Sequence, residues 1–190
     1  EILRLPRQSL STFGVTNIYY YMVTEPTYAE PGKDADETVL REGRIIAQRP
    51  RIITPYYLSQ LEGFSLDARK YLDTLVKIYG SDAPGLFYSY KNEAKKLTII
   101  PDKWLSVVDK LNIEIDERSD PSASIIKGED ELWDVSLLKF IYEITRASLQ
   151  DNLSKMGARG LLNIDSTGIP LDARVRIDEL FRKVAQGEYE

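Results

Sequence analysis

The chain has 190 residues, 43% hydrophobic and 29% charged, with no cysteine, no histidine and a formal net charge of -5. That length suits one domain or two small ones. The two absences remove disulfides, thiolate nucleophiles, iron–sulfur and thiolate zinc sites, and every mechanism built on a histidine base. Catalysis is left with paired carboxylates, a desolvated lysine, a Ser–Lys pair, tyrosine or arginine. A metal site would rest on oxygen donors, which suit Mg²⁺, Mn²⁺ or Ca²⁺.

In chain order, the first elements read as β. Val15 to Thr24 is dense in β-branched and aromatic residues and stops at Glu25-Pro26. Pro31 to Asp36 is a polar loop. Thr38 to Arg41 and Arg44 to Gln48 flank Glu42-Gly43, a hairpin signal in which glycine supplies positive φ. Arg51 to Thr54 extends that strand past Pro50, at an edge or bulge. A helix follows, N-capped by Ser65, with Ala68, Leu72, Leu75, Val76 and Tyr79 at helical spacing before Gly80. Leu86 to Tyr90 and Lys95 to Ile100 read as a second hairpin. Asp102 to Leu111 reads as a short helix, and Asn112 to Glu117 alternates apolar and acidic residues like a half-exposed strand.

Residues 118–128 form a polar loop containing serine and proline, the expected linker between a β-rich α+β region at 1–117 and a helical region at 129–190. Both regions also fit a single domain. The span from Asp130 to Met156 is a long amphipathic helix of about 40 Å. One stripe holds Leu137, Ile141, Ile144 and Ser148, and a neighbouring one holds Leu138, Tyr142, Thr145 and Leu149. That breadth of apolar surface predicts burial on more than one side and points to a homo-oligomer through the helix 130–156. The last helix starts near Pro170, a good first-turn residue, and ends at Gly187. Residues 63–77 and 168–182 share seven identities. Two copies of a helix start explain this without a repeat fold, which needs about three.

Five features carry candidate chemistry. Arg41, Arg44, Arg49 and Arg51 stand against a single acid between positions 40 and 60, with Tyr56 and Tyr57 directly after. Backbone neutralisation beside stacking platforms is what single-stranded nucleic acid requires, although charged edge strands use the same residues to prevent aggregation. Residues 112–134 hold eight acids against two bases. On a strand, Glu114 and Asp116 share a face, and with Asp102 they would suit Mg²⁺. Pro101-Asp102 followed by Glu114-Ile115-Asp116 faintly resembles the PD-(D/E)xK nuclease pattern, which needs a lysine two residues after its second acid; that place is the acidic Asp116 counted from Glu114 and Arg118 counted from Asp116. Ser136-Leu137-Leu138-Lys139 is an isolated S-x-x-K string. Gly157-Ala158-Arg159-Gly160 reads as a helix end. Thr24-Glu25-Pro26-Thr27-Tyr28 puts a carboxylate and hydroxyl groups at a strand end, where pockets form.

The expected fold is α+β: an N-terminal antiparallel β-sheet with covering helices, then a C-terminal helical hairpin or small bundle. No catalytic motif is found, and no cofactor is expected beyond Mg²⁺ at the carboxylates. The expected function is that of a non-catalytic intracellular binding or assembly protein. The alternatives are a nucleic-acid binder using the basic aromatic sheet face and a Mg²⁺-dependent hydrolase or nuclease. No run of about 18 apolar residues predicts a membrane span. The opening Glu1-Ile2-Leu3-Arg4 has neither an initiator Met nor a signal-peptide layout, and the cytoplasm is the expected compartment.

Overall fold

The structure, a computed structural model, describes residues 1–27, 36–54, 65–81, 85–166 and 169–188. The strands are β1 (Ile2–Arg4), β2 (Thr16–Glu25), β3 (Thr38–Ala47), β4 (Arg51–Ile53), β5 (Gly85–Phe87), β6 (Tyr90–Ile100) and β7 (Ala123–Glu129). The helices are α1 (Leu66–Tyr79), α2 (Trp104–Glu117), α3 (Trp133–Ala158) and α4 (Leu171–Ala185), with one 3₁₀ turn, Asp130–Leu132, leading into α3. The fold is α+β with a C-terminal helical segment. The chain divides into two compact units, Glu1–Arg49 with Ser89–Leu149, and Pro50–Tyr88 with Gln150–Glu190.

The first unit is built on a five-stranded sheet in the order β1-β7-β2-β3-β6. The sheet is mixed rather than antiparallel, because β7 runs parallel to β2, with Tyr19 opposite Ala123 and Glu25 opposite Glu129. A parallel neighbour needs a crossover connection, and α2 lies between β6 and β7 in the chain. The expected loop 118–128 is corrected here, since it contains most of β7. Ala123, Ser124, Ile125 and Ile126 are all buried. A strand covered on both faces shows no apolar–polar alternation, and small residues at two of its positions hid it further. The Ser124 hydroxyl donates to the Tyr19 carbonyl at 2.7 Å, which satisfies the buried oxygen.

The expected strand at 112–117 is also corrected: it is the second half of α2. Val107, Val108, Leu111 and Ile115 are buried at helical spacing, whereas Ile113, which the alternating pattern would place on the apolar face beside Ile115, is 60% exposed. These four pack with Val23, Leu40, Ala123 and Ile125 into the core on one face of the sheet. The helix ends without glycine. Ser119 takes a φ of 51°, and its N–H donates to the Asp116 carbonyl, so the left-handed cap that glycine usually supplies is filled by serine.

Both expected hairpins dissolve into longer strands. β3 runs straight through Glu42-Gly43, paired with β2 throughout and with β6 across a bulge at that point. Gly43 is there for space. A Cβ on it would lie 2.4 Å from the Tyr20 hydroxyl and 2.8 Å from the Glu93 carbonyl. Leu86 belongs to β5, which pairs with β4, while Lys91–Ala94 lies inside β6. Ile18, Tyr20 and Met22 alternate onto the sheet face opposite α2 and are fully buried. Leu137, Phe140 and Ile144 are the buried residues of the first half of α3.

The second unit contains the β4–β5 pair, with Ile52 opposite Leu86, together with α1, the last turns of α3, and α4. Asn152 and Met156 are fully buried, and the Asn152 side-chain amide donates to the Tyr88 hydroxyl at 2.8 Å. Pro170 is the N-cap of α4 rather than its first-turn residue. Arg174 bonds Asp165, the acid that also accepts the Ile169 N–H at 3.1 Å.

Candidate functional site

The four arginines of the basic segment do not form one face. Arg41 is a half-buried residue of β3. Its guanidinium lies 2.7 Å from the Asp130 carboxylate and donates to the Thr24 hydroxyl at 2.9 Å. Thr24 in turn donates to Asp130 at 2.7 Å, and the Trp133 ring stacks over Arg41 at 5.5 Å. Burial by itself would raise the Asp130 pKa, but the Thr24 and Arg41 bonds outweigh it and hold the group below the ordinary aspartate range.

Arg44 lies three residues on, opposite Tyr19 and Glu93 in the sheet, and pairs with the Glu93 carboxylate at 2.6 Å. Lys91 takes the other oxygen of Glu93 at 2.9 Å. Bonds from Lys91 and then Arg44 lower the Glu93 pKa. Arg49 sits over the Phe13 ring at 5.9 Å. Arg51, an exposed residue of β4, belongs to the other unit. Tyr56 and Tyr57 lie outside the described residues.

Asp102, Glu114 and Asp116 are not brought together. Two positions apart on helix α2 means about 200° around its axis, so the shared strand face does not exist. Asp116 binds Arg4 at 2.5 Å and Arg7 at 3.0 Å. Glu114 pairs with Arg118. Asp102 accepts from Ser106 and from Lys110, each at 2.7 Å. Lys110 is the main cause that lowers the Asp102 pKa, and Arg4 the main cause for Asp116. Those shifts are the signature of ion pairs, whereas a general acid needs the opposite direction. Among the described residues no three acids are arranged to hold a metal ion.

Ser136 of the S-x-x-K string packs against β7. A Cβ on Gly128 would lie 2.7 Å from its hydroxyl, so the serine marks a close helix–strand approach, while Lys139 is exposed. Gly157-Ala158-Arg159-Gly160 ends α3, with Gly160 at a φ of 67°.

Of the strand end Thr24-Glu25-Pro26-Thr27-Tyr28, Tyr28 lies outside the described residues, and Glu25 and Thr27 adjoin a hollow. At the carboxyl ends of the parallel pair β2 and β7, Glu25, Thr27, Lys127, Glu129, Asp130 and Ser136 are among the residues that line a cavity of about 730 Å³. Lys127 lies 3.6 Å from the Trp104 ring centre and 3.6 Å from Glu25.

Two features lie outside the five candidates, the first on the apolar stripe of the long helix that the sequence offers as an oligomer contact. Val135, Leu138, Tyr142 and Leu149 all lie on the side of α3 turned away from its buried residues, and Leu138 and Tyr142 are 65% and 63% exposed. Separately, a hollow of about 260 Å³ opens between β3, β6 and Trp133. No helix among the described residues is long and apolar enough to cross a membrane. No family model matches the chain, and no curated protein or solved structure matches it significantly.

Proposed function

We propose that this chain is a non-catalytic assembly protein that self-associates through the outer face of α3. The supporting observation is the exposed stripe Val135, Leu138, Tyr142 and Leu149. With Thr145, its spacing of three, four, three and four residues is that of a coiled-coil seam. A seam of this kind, left in water, costs apolar hydration that a matching helix removes, at about 25 cal/mol per Å² covered.

The flanking charges select the occupant. With Val135 and Leu138 as seam positions, Asp134 and Lys139 are the flanking residues that meet across a parallel pair. A second copy of α3 in the parallel sense therefore sets Asp134 against the Lys139 of its twin, twice by symmetry. An antiparallel pair would instead bring Lys139 near Arg146. Mass in solution, by sedimentation or light scattering, tests this. The parent is expected to be a dimer and Leu138→Glu with Tyr142→Glu a monomer of unchanged circular dichroism. A parent that stays monomeric across the micromolar range overturns the reading.

A further inference from the structure

Strand β6 is an outer strand of the five-stranded sheet, and among the described residues it pairs on one side only, with β3. Its eleven residues are about twice the usual strand length. Its outer side therefore presents a long row of backbone N–H and C=O groups, the template on which another extended chain can pair.

The side chains along this edge are not those of an inert border. Leu97 and Ile99, two apart and so on one face, are 58% and 55% exposed. Leu97 itself borders the hollow of about 260 Å³, whose other walls are Tyr20, Arg41, Glu42, Ala94, Lys95, Lys96 and Trp133. That volume accepts one large apolar side chain. Along the strand, Lys91, Lys95 and Lys96 face a single acid, Glu93. Glu93 is already shared by Lys91 and Arg44. Lys95 rests over the Tyr19 ring at 4.5 Å, and Lys96 stands opposite Glu42 in the β3–β6 register, with no ion pair between them.

The bulge opposite Glu42-Gly43 and the lysines are devices that keep edge strands from pairing with themselves. A second β6 carries the same positive charge and is disfavoured. An acidic strand meets that charge as attraction. We propose that β6 docks an extended segment of a partner protein by strand addition, a segment in which acidic residues alternate with apolar ones. The backbone supplies pairing, Lys95 and Lys96 meet the carboxylates, and an apolar side chain enters the hollow beside Trp133. This is the general mode in which main-chain bonds give affinity and alternate side chains give specificity.

The probe is a short synthetic peptide alternating Glu and Ile, labelled for fluorescence anisotropy, with amide hydrogen exchange of the protein as the second readout. Binding is expected, with slowed exchange at residues 90–100. Lys95→Glu with Lys96→Glu should weaken it about tenfold or more. The same peptide with Lys in place of Glu, or with alternate backbone N-methyl groups that cannot pair, should not bind. Absence of binding at millimolar peptide overturns the proposal. So does binding unaffected by the charge reversal, protection outside β6, or concentration-dependent protection of β6 in the protein alone, which would identify a second copy as the occupant. Leu138→Glu with Tyr142→Glu leaves this readout unchanged, so failure here and failure of the α3 interface are separate results.

Discussion

The Arg41 guanidinium and the Asp130 carboxylate meet at 2.7 Å, both largely shielded from water, and so tie β3 to the turn that starts α3. Thr24 closes the triangle with bonds to both. A half-buried pair that loses one member leaves the other charge uncompensated. Asp130→Asn is expected to destabilise the protein by about 2 kcal/mol at pH 7, less than for a fully buried pair because some solvent reaches this one. The pH dependence has a definite sign. The folded pKa of Asp130 is below its ordinary value, so the pair contributes above the unfolded value of about 3.9 and is lost as pH falls through the lower folded value. Urea midpoints of parent and variant should therefore differ at pH 7 and converge toward pH 2.

Gly43 is occupied on both sides by neighbours that cannot easily move, the Tyr20 ring and a strand carbonyl. Tyr20 is fully buried, and its hydroxyl donates to Asn92 at 3.0 Å. Gly43→Ala should cost about 2–3 kcal/mol through overpacking. Combining it with Tyr20→Leu should cost less than the sum of the two single changes, because the second substitution vacates the space the methyl group needs. A double-mutant cycle by chemical denaturation reads this directly.

If α3 pairs with its twin in the parallel sense, the Asp134–Lys139 contacts can be inverted without loss. Lys139→Asp alone should weaken dimerisation several-fold, and Asp134→Lys alone should do the same. The double variant should recover most of the parent affinity. Dimer dissociation constants measured by sedimentation at low salt test the orientation as well as the contact. Additive weakening would reject the parallel arrangement.

Because Arg44 is held by Glu93 and Arg41 by Asp130, little free cationic charge remains on β3 for phosphates. Labelled single-stranded oligonucleotides are expected to bind weakly, with a shallow dependence of affinity on salt. Glu93→Gln, which releases both Arg44 and Lys91, should raise that affinity, and Arg44→Glu should change the parent little. A steep salt dependence in the parent, abolished by Arg44→Glu, would favour the alternative of a nucleic-acid binder over self-association.

How much of this was legible can be judged from particular residues. The run from Val15 to Thr24 was readable as a strand because its aromatic and β-branched residues favour strands whether one face or both are covered. The stripe Leu137, Ile141, Ile144 and Ser148 was readable as a helix because its period survives over many turns. β7 was not readable, since burial on both faces erases alternation. Asn112 to Glu117 misled because alternation over six residues also fits a helix, and only Ile115 among its apolar residues is buried. Glu42-Gly43 misled because a glycine needed for a close approach looks the same in sequence as a glycine needed for a turn. The candidate sites suffered most. The reading of Asp102, Glu114 and Asp116 as a cluster depended on the strand at 112–117, and the arginine stripe depended on partners distant in the chain.

By itself, the sequence determined the chemistry that is closed to this protein, the α+β class and the long helix with two apolar stripes, since these follow from side-chain inventory and from local period. The tertiary structure decided which strands are neighbours, which arginines are neutralised, which helix stripe stays in water and which strand lies at the edge. Those outcomes depend on contacts between residues some fifty to over a hundred positions apart, such as Arg44 with Glu93 and Thr24 with Asp130, and no local pattern encodes a partner that far away.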